Sequence, residues 1–563
     1  MSGELNLGLL VKRVANKVPA RPAVIQGERA LTYADFIDRS TRLARLLHDR
    51  GYGARSERSE LQGHQSGQHL LAQYLHNCPE YVEGLVGSFL GRVAPFNVNY
   101  RYQADELRYL LRDAGPAVIQ YHASFAPVLR EVLDDLAERP LLLQIADGSG
   151  AALLPGAEDY ETALASVPAE LDVTASPDDL YVIYTGGTTG MPKGVLWRQG
   201  DAAISIFGLI NRRERREWLS VDECADAVRS TPMNVMPCAP LMHGAAQWAA
   251  LVALAHGDAV VFPDNTENFA AREALTTVER HGVSLITIVG DAFGWPLVEE
   301  LERTPYDVSS LRHIVSGGAA LHVSCKERLV ELIPNVQIIE HIGSSESGPV
   351  GTREGTGSAA APATYQGDAT MVVVAEDFSG FLAPGHDDLG WLARRGRIPL
   401  GYLGDADKTA RTFPTVEGVR ISVLGDRARL LDGGQVEMLG RDSLTVNTGG
   451  EKVFVEEVEG TLKDHPDVVD ALVCGRPSER WGSEVAALVV ASATVDPQEL
   501  IEFCRERIAR YKAPKHIRFV DHLVRTATGK PDYRWAQQQL QQSEGASVGT
   551  VASSNASSSR KET

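Results

Sequence analysis

No run in this chain is apolar for long enough to cross a bilayer. The most apolar helix-like stretch, WAALVALA at 248–255, is far shorter than the roughly twenty residues a spanning helix needs, so it reads as a buried helix. The opening segment MSGELNLGLLVKRVANKVPARP lacks the uninterrupted apolar core and small-residue cleavage site of a secretion signal, so a cytoplasmic location is expected. Paired cysteines are also missing. The six cysteines, at 78, 224, 238, 325, 474 and 504, show neither a C-x-x-C pair nor zinc-site spacing and read as reduced thiols, mostly core filler. Positive charge is in deficit: 55 Lys and Arg against 74 Asp and Glu leave a net −19. That argues against nucleic acid or an anionic membrane as the main partner. Any site for an anionic nucleotide must then be a local basic island. The P-loop pattern G-x-x-x-x-G-K-[ST] is absent as well.

Residues 184–195 nevertheless read YTGGTTGMPKGV. Glycines let backbone N–H groups turn inward, and hydroxyls and an ammonium add donors, which suits a phosphate. Lys193 follows Pro192 rather than a glycine, so this is a phosphate loop of another kind or only a flexible turn.

A chain of 563 residues, 44% hydrophobic and 23% charged, should form two or three soluble globular domains. Residues 32–50, TYADFIDRSTRLARLLHDR, predict an amphipathic helix with a Thr32/Asp35 capping box and Gly51 as its stop. Short apolar runs at 116–121, 181–184, 259–262, 285–289 and 313–318 alternate with helical patterns such as 268–282. This predicts α/β layers with largely parallel strands, several ending in Gly/Ser/Thr-rich loops where such folds place ligands. The Gly/Ala/Ser-rich segment 351–368 reads as an irregular connection. The expected organisation is a large multi-sheet α/β domain over 1–439, a hinge at 440–443, a small mobile α+β domain over 444–542, and a disordered tail over 543–563.

Four further stretches carry candidate chemistry. IGSSESG (342–348) sets Glu346 among hydroxyls after an apolar strand. VLGDRA (423–428) sets Asp426 at a strand end. LGRDS (439–443) and RTATGKPDYR (525–534) present Arg441 and Lys530. Singly, each reads equally as a capping carboxylate, a turn residue or a solvated charge. As a set, in this order, they resemble the acyl-adenylate-forming superfamily of acyl-CoA synthetases, firefly luciferase and peptide-synthetase adenylation domains. The resemblance runs from about residue 10 to about 540. With NTGGEKVFVEEVE (447–459), it is nearest to actinobacterial fatty-acyl-CoA ligases, including those acting on steroid side-chain carboxylates.

The resemblance implies an ATP-dependent acid–thiol ligase with Mg2+ as metal and CoA as co-substrate. Thr185, Gly186, Gly187, Thr188, Thr189, Gly190 and Lys193 would clamp the ATP phosphates. Thr188 and Glu346 would hold Mg2+. Gly318, Ala319 and Ser344 would border the adenine, while Asp426, with Arg441 nearby, would take the ribose hydroxyls. His243 would sit by the acyl carboxylate, its alternative being a hydrogen-bonded core histidine. Lys530 would bridge carboxylate and α-phosphate. Gly449 and Gly450 would line the pantetheine channel or form a plain turn, and Arg476 and Arg480 would meet CoA phosphates. The runs 289–301 and 316–321 would wall the acyl pocket. Ser443, beside Asp442, stands at the hinge position, and Ile342 replaces an aromatic that stacks on adenine. Acyl transfer to a carrier-protein thiol and a catalytically dead nucleotide-binding module are the alternatives. The partners implied are small molecules, with a homodimer admitted.

Overall fold

The computed structural model describes residues 5–185, 191–211, 214, 216–218, 220–355, 363–441, 444–448, 451–478, 482–508, 510–525 and 530–541. The expected tail, 543–563, lies outside them. The described residues form two compact units: those up to 441 with Lys530, and those over 444–525 with 531–541.

In the larger unit the predicted α/β layering is present. The strands Pro22–Gln26, Ala259–Phe262, Asn234–Pro237, Leu285–Ile288, His313–Gly317 and Gln337–Ser344 run parallel in that spatial order. A second sheet, with Leu70–Tyr74 and Val118–His122 at its centre, is also parallel. Every residue of those two strands is buried, the pattern of strands covered on both faces. Helices supply the crossovers. Thr32 caps Tyr33–Asp49 through a capping box with Asp35, and Gly51 follows at φ +81°. The apolar run at 248–255 falls in the largely buried helix Gly244–Ala255.

Two expectations need correction. Beyond Gln337–Ser344 the first sheet turns antiparallel, through Gly348–Glu354, Ala363–Gly367, Gln435–Arg441, Val419–Leu430, Gly390–Arg395 and Met371–Val374. Neighbours such as Gln337–Ser344 and Gly348–Glu354 follow one another too closely for a helical crossover, so they must reverse direction. The segment 351–368, expected to be irregular, contributes two paired strands, with Gly351 opposite Gly367 and Thr352 opposite Gln366. Gly351 is there for close packing: a Cβ on it would lie 3.1 Å from Tyr365 Cβ and 3.2 Å from Ile342 Cγ1. Glycine in that strand marks contact, not a loop.

A third sheet joins Leu180–Thr185 to Lys193–Arg198 and then to Gly401–Tyr402, all antiparallel. The smaller unit has an antiparallel pair, Val468–Ser478 and Gly482–Ala491, with His516–Phe519 parallel to the latter. Its helices are Val455–Lys463, Pro497–Arg507 and Tyr533–Gln541. All six cysteines are free thiols, and five of them are buried. Among the described residues no helix is long and apolar enough to cross a membrane.

Candidate active site

The carboxyl ends of the parallel strands are where an open α/β sheet leaves room for a ligand. Four such ends carry predicted residues. The strand Asn234–Pro237 runs on to His243, His313–Gly317 to Gly318 and Ala319, and Gln337–Ser344 to the turn bearing Glu346. Leu285–Ile288 leads into the run 289–301. Gly290 N–H donates to Ser316 Oγ at 3.1 Å, and Asp291 N–H donates to Ala320 O at 3.1 Å. The two runs expected to wall an acyl pocket are thus joined directly.

Glu346 is held on several sides. Its N–H donates to Ser344 Oγ at 3.2 Å, and its carbonyl accepts from Ser422 Oγ at 2.6 Å. The carbonyl of Ser345 accepts from the indole of Trp197 at 2.8 Å. Glu346 Oε1 accepts from the Tyr402 hydroxyl at 2.8 Å. Burial first, and then the Glu346 charge, raise the Tyr402 phenol above its ordinary value, so it remains a donor. Tyr402 was not singled out in the sequence, where nothing in GYLGD marks it. Among the described residues no three His, Cys, Asp or Glu side chains cluster as a metal site. One aimed carboxylate fits Mg2+ that draws most of its oxygen ligands from phosphates rather than from a protein cage.

Lys193 pairs in register with Thr185 across the hairpin, whose loop 186–190, with Gly186, Gly187, Thr188, Thr189 and Gly190, lies outside the described residues. The Lys193 ammonium meets Asp113 at 3.3 Å and Asp405 at 3.8 Å. Asp113 is oriented in turn by the Tyr184 hydroxyl at 2.9 Å. Burial works against the charged form of Lys193, but Tyr109 and Asp113 outweigh it and its pKa is raised. Asp113, Asp405 and Tyr109 also went unnoticed in the sequence.

Lys530 groups with the larger unit. Its Cε lies 3.8 Å from where a Cβ on Gly318 would stand, and Gly318 adopts φ +83°. His243 immediately precedes the helix Gly244–Ala255, and its Nε2 is buried without a hydrogen-bond partner among the described residues. Burial, then the charges of Lys530 and Arg101, press its pKa down to about 3. Two cations bearing on a neutral imidazole make the local basic island that an acidic chain needs for an anion, and the orphaned Nε2 suits a carboxylate oxygen. Because His243 stays uncharged from pH 5 to 8, His243→Asn should keep the shape of the pH–rate profile for adenylation. It should raise KM for the carboxylate by roughly tenfold, the worth of one hydrogen bond to a charged group. An acid limb of the profile that vanishes in His243→Asn would contradict this.

Asp426 stands opposite Arg441 in the strand register. Ile342 packs into the core with Val350 and Tyr365. In the smaller unit, Gly449 and Gly450 lie outside the described residues, between Val446–Thr448 and Glu451–Val453, which pair as a hairpin. Arg476 lies 3.7 Å from Glu484. Arg480, Asp442 and Ser443 are outside the described residues.

Fold and site together define a nucleotide-using α/β enzyme of two units. The AMP-binding enzyme family matches residues 11–386, and the AMP-binding enzyme C-terminal domain matches residues 457–530; the chain belongs to this family. It is 49% identical to the medium-chain acyl-CoA ligase Mig of Mycobacterium avium, covering 94% of this chain and 97% of that one. It is 38% identical to a medium/long-chain-fatty-acid–CoA/3-oxocholest-4-en-26-oate–CoA ligase of Mycobacterium tuberculosis, covering 96% and 97%. The crystal structure of an anthranilate CoA ligase in complex with anthranoyl-AMP superposes with a TM-score of 0.79 at 19% identity, covering 95% of this chain and 97% of that one; that likeness concerns the fold.

Proposed function

We propose that this protein activates a hydrophobic carboxylate, a medium- to long-chain fatty acid or a steroid side-chain acid, and joins it to CoA. It is an AMP-forming acid–thiol ligase. The observation that carries the reading is the buried, neutral His243 just beyond a strand end, its Nε2 without a partner among the described residues and under the influence of the Lys530 charge. In the first step a carboxylate oxygen attacks the α-phosphorus of ATP, the bond to the bridging oxygen breaks, and pyrophosphate leaves. Lys530 would lie between carboxylate and α-phosphate, where negative charge concentrates. His243 would orient the carboxylate, and Thr185 to Lys193 would follow the departing pyrophosphate. Gly318, Ala319 and Ser344 would border the adenine, and Asp426 the ribose. Thr188 and Glu346 would hold Mg2+, which when bound neutralises charge on phosphate oxygens. In the second step the CoA sulfur attacks the acyl carbonyl carbon and AMP leaves, the thiol proton passing to solvent. Gly449 and Gly450 would flank the pantetheine, with residues 440–443 as the hinge between a domain over 1–439 and one over 444–542.

The substrate class is tested by competition between acetate, octanoate, palmitate and a C24 steroid acid, reading the thioesters formed. Each buried CH2 contributes about 0.8 kcal/mol, so six of them give up to roughly three orders of magnitude in kcat/KM between acetate and octanoate. A preference for acetate would overturn the substrate class while leaving the ligase reading in place.

A further inference from the structure

The turn that presents Glu346 is gripped by a buried arginine that forms no ion pair among the described residues. Arg394 lies on the strand Gly390–Arg395, opposite Ser422, and is 5% exposed. One of its terminal nitrogens donates to the carbonyls of Pro349 at 2.7 Å, Ser347 at 2.8 Å and Ser205 at 3.3 Å. Its Nε is buried without a partner among the described residues. Gly348, between Ser347 and Pro349, adopts φ +68°, and a Cβ on it would stand 3.1 Å from Ile206 Cγ1 and 3.4 Å from the same nitrogen. Burial dominates the electrostatics of the guanidinium, and the attraction of Asp368 only partly offsets it. Such a placement is costly, because carbonyl dipoles return only part of the lost hydration. The adjacent positions Leu392 and Ala393 are fully buried apolar residues, so an apolar side chain here would serve the core at lower cost.

The grip is also local to the chemistry. Arg394 takes the carbonyls just after Glu346, while its cross-strand partner Ser422 takes the carbonyl of Glu346 itself. Trp197 takes the carbonyl before it. With the backbone held in this way, the Tyr402 hydroxyl orients the Glu346 carboxylate.

We propose that Arg394 is a positioning residue for the adenylation half-reaction, fixing the Glu346 turn and supplying buried positive charge that the ATP phosphates complement. The inference rests on the ATP-dependent reading above. It separates two roles in one side chain. One terminal nitrogen sets the geometry of the turn through three carbonyls, and the charge, strengthened by low local polarity, favours an anionic ligand.

The test uses the full chain with Arg394→Met, which keeps the bulk and removes the charge, and Arg394→Lys, which keeps the charge and loses the fork. Binding of ATP with Mg2+ is measured by calorimetry without carboxylate. KM for the carboxylate and thioester formation from supplied acyl-AMP are measured in parallel. Arg394→Met should weaken ATP binding by about tenfold, a charged-group effect. It should leave carboxylate KM and thioester formation within about twofold. Arg394→Lys should recover part of the lost binding. Should Arg394→Met not fold, Ser422→Ala removes one hydrogen bond to the same turn and should weaken ATP binding about threefold with the same selectivity. Native ATP affinity in the variants, or equal losses in all three measurements, would overturn the inference. A native protein that fails to bind ATP would instead overturn the ligase reading.

Discussion

Lys530→Ala should lower acyl-AMP formation by at least about a hundredfold, the usual scale for removing one group aimed at developing charge. Thioester formation from supplied acyl-AMP should stay within a few-fold of native. The ammonium stem lies with Cε 3.8 Å from the Cβ position of Gly318. A Cβ at Gly318 would stand in ordinary contact with that stem, while φ +83° disfavours any side chain there. The same lysine lowers the pKa of His243, so its charge is felt where the carboxylate would be oriented. In the first half-reaction, negative charge gathers between carboxylate and α-phosphate, and a fixed cation in a partly desolvated site acts strongly on it. In the second, charge moves from the thiolate onto departing AMP, and the requirement for a cation at that point falls. ATP–pyrophosphate exchange reads the first step, and thioester release from synthetic acyl-AMP reads the second. Equal loss in both would mean that Lys530 serves the site as a whole and not the adenylation step.

The parts of the candidate site legible in the sequence are stretches where particular residue types stand close together. Glycines and hydroxyls before Lys193, and hydroxyls around Glu346, announce themselves within a dozen residues. Helix signals were legible for the same reason, since the Thr32/Asp35 cap is complete within four residues. What escaped is set by strand pairing between distant segments. Tyr402 reaches Glu346 across 56 residues, Asp113 reaches Lys193 across 80, and Trp197 reaches Ser345 across 148. Their side chains acquire meaning only once Gly401–Tyr402 pairs with Lys193–Arg198 and the sheets assemble. The segment 351–368 failed for a different reason. Small residues are a loop signal in isolation, but where two strands and Tyr365 crowd together they are what permits the sheet.

Glu346→Gln should raise the Mg2+ concentration for half-maximal adenylation by on the order of tenfold or more, the scale seen when metal sites lose a tuning group. It should do so with little change in melting temperature. The two parts of this expectation come from different atoms. Stability in the turn comes from the backbone: Ser422 to the Glu346 carbonyl, Trp197 to that of Ser345, and Glu346 N–H to Ser344 Oγ. None of these bonds involves the carboxylate. The Tyr402 hydroxyl can donate to the amide oxygen of glutamine as it does to Oε1 of glutamate, so the buried phenol keeps a partner. The negative charge is what disappears, and a hard dication prefers a charged oxygen ligand to a neutral one. Tyr402→Phe makes the complementary change: it leaves the charge but removes the bond that aims it, and should cost less than Glu346→Gln, about one hydrogen bond's worth in adenylation rate. Titrating Mn2+ by proton relaxation with ATP present, but no carboxylate, separates metal affinity from turnover. Mg2+ and Mn2+ dependence that stays native in Glu346→Gln would return this residue to the role of a turn carboxylate. It would also leave Thr188 and the phosphates themselves as the metal's holders.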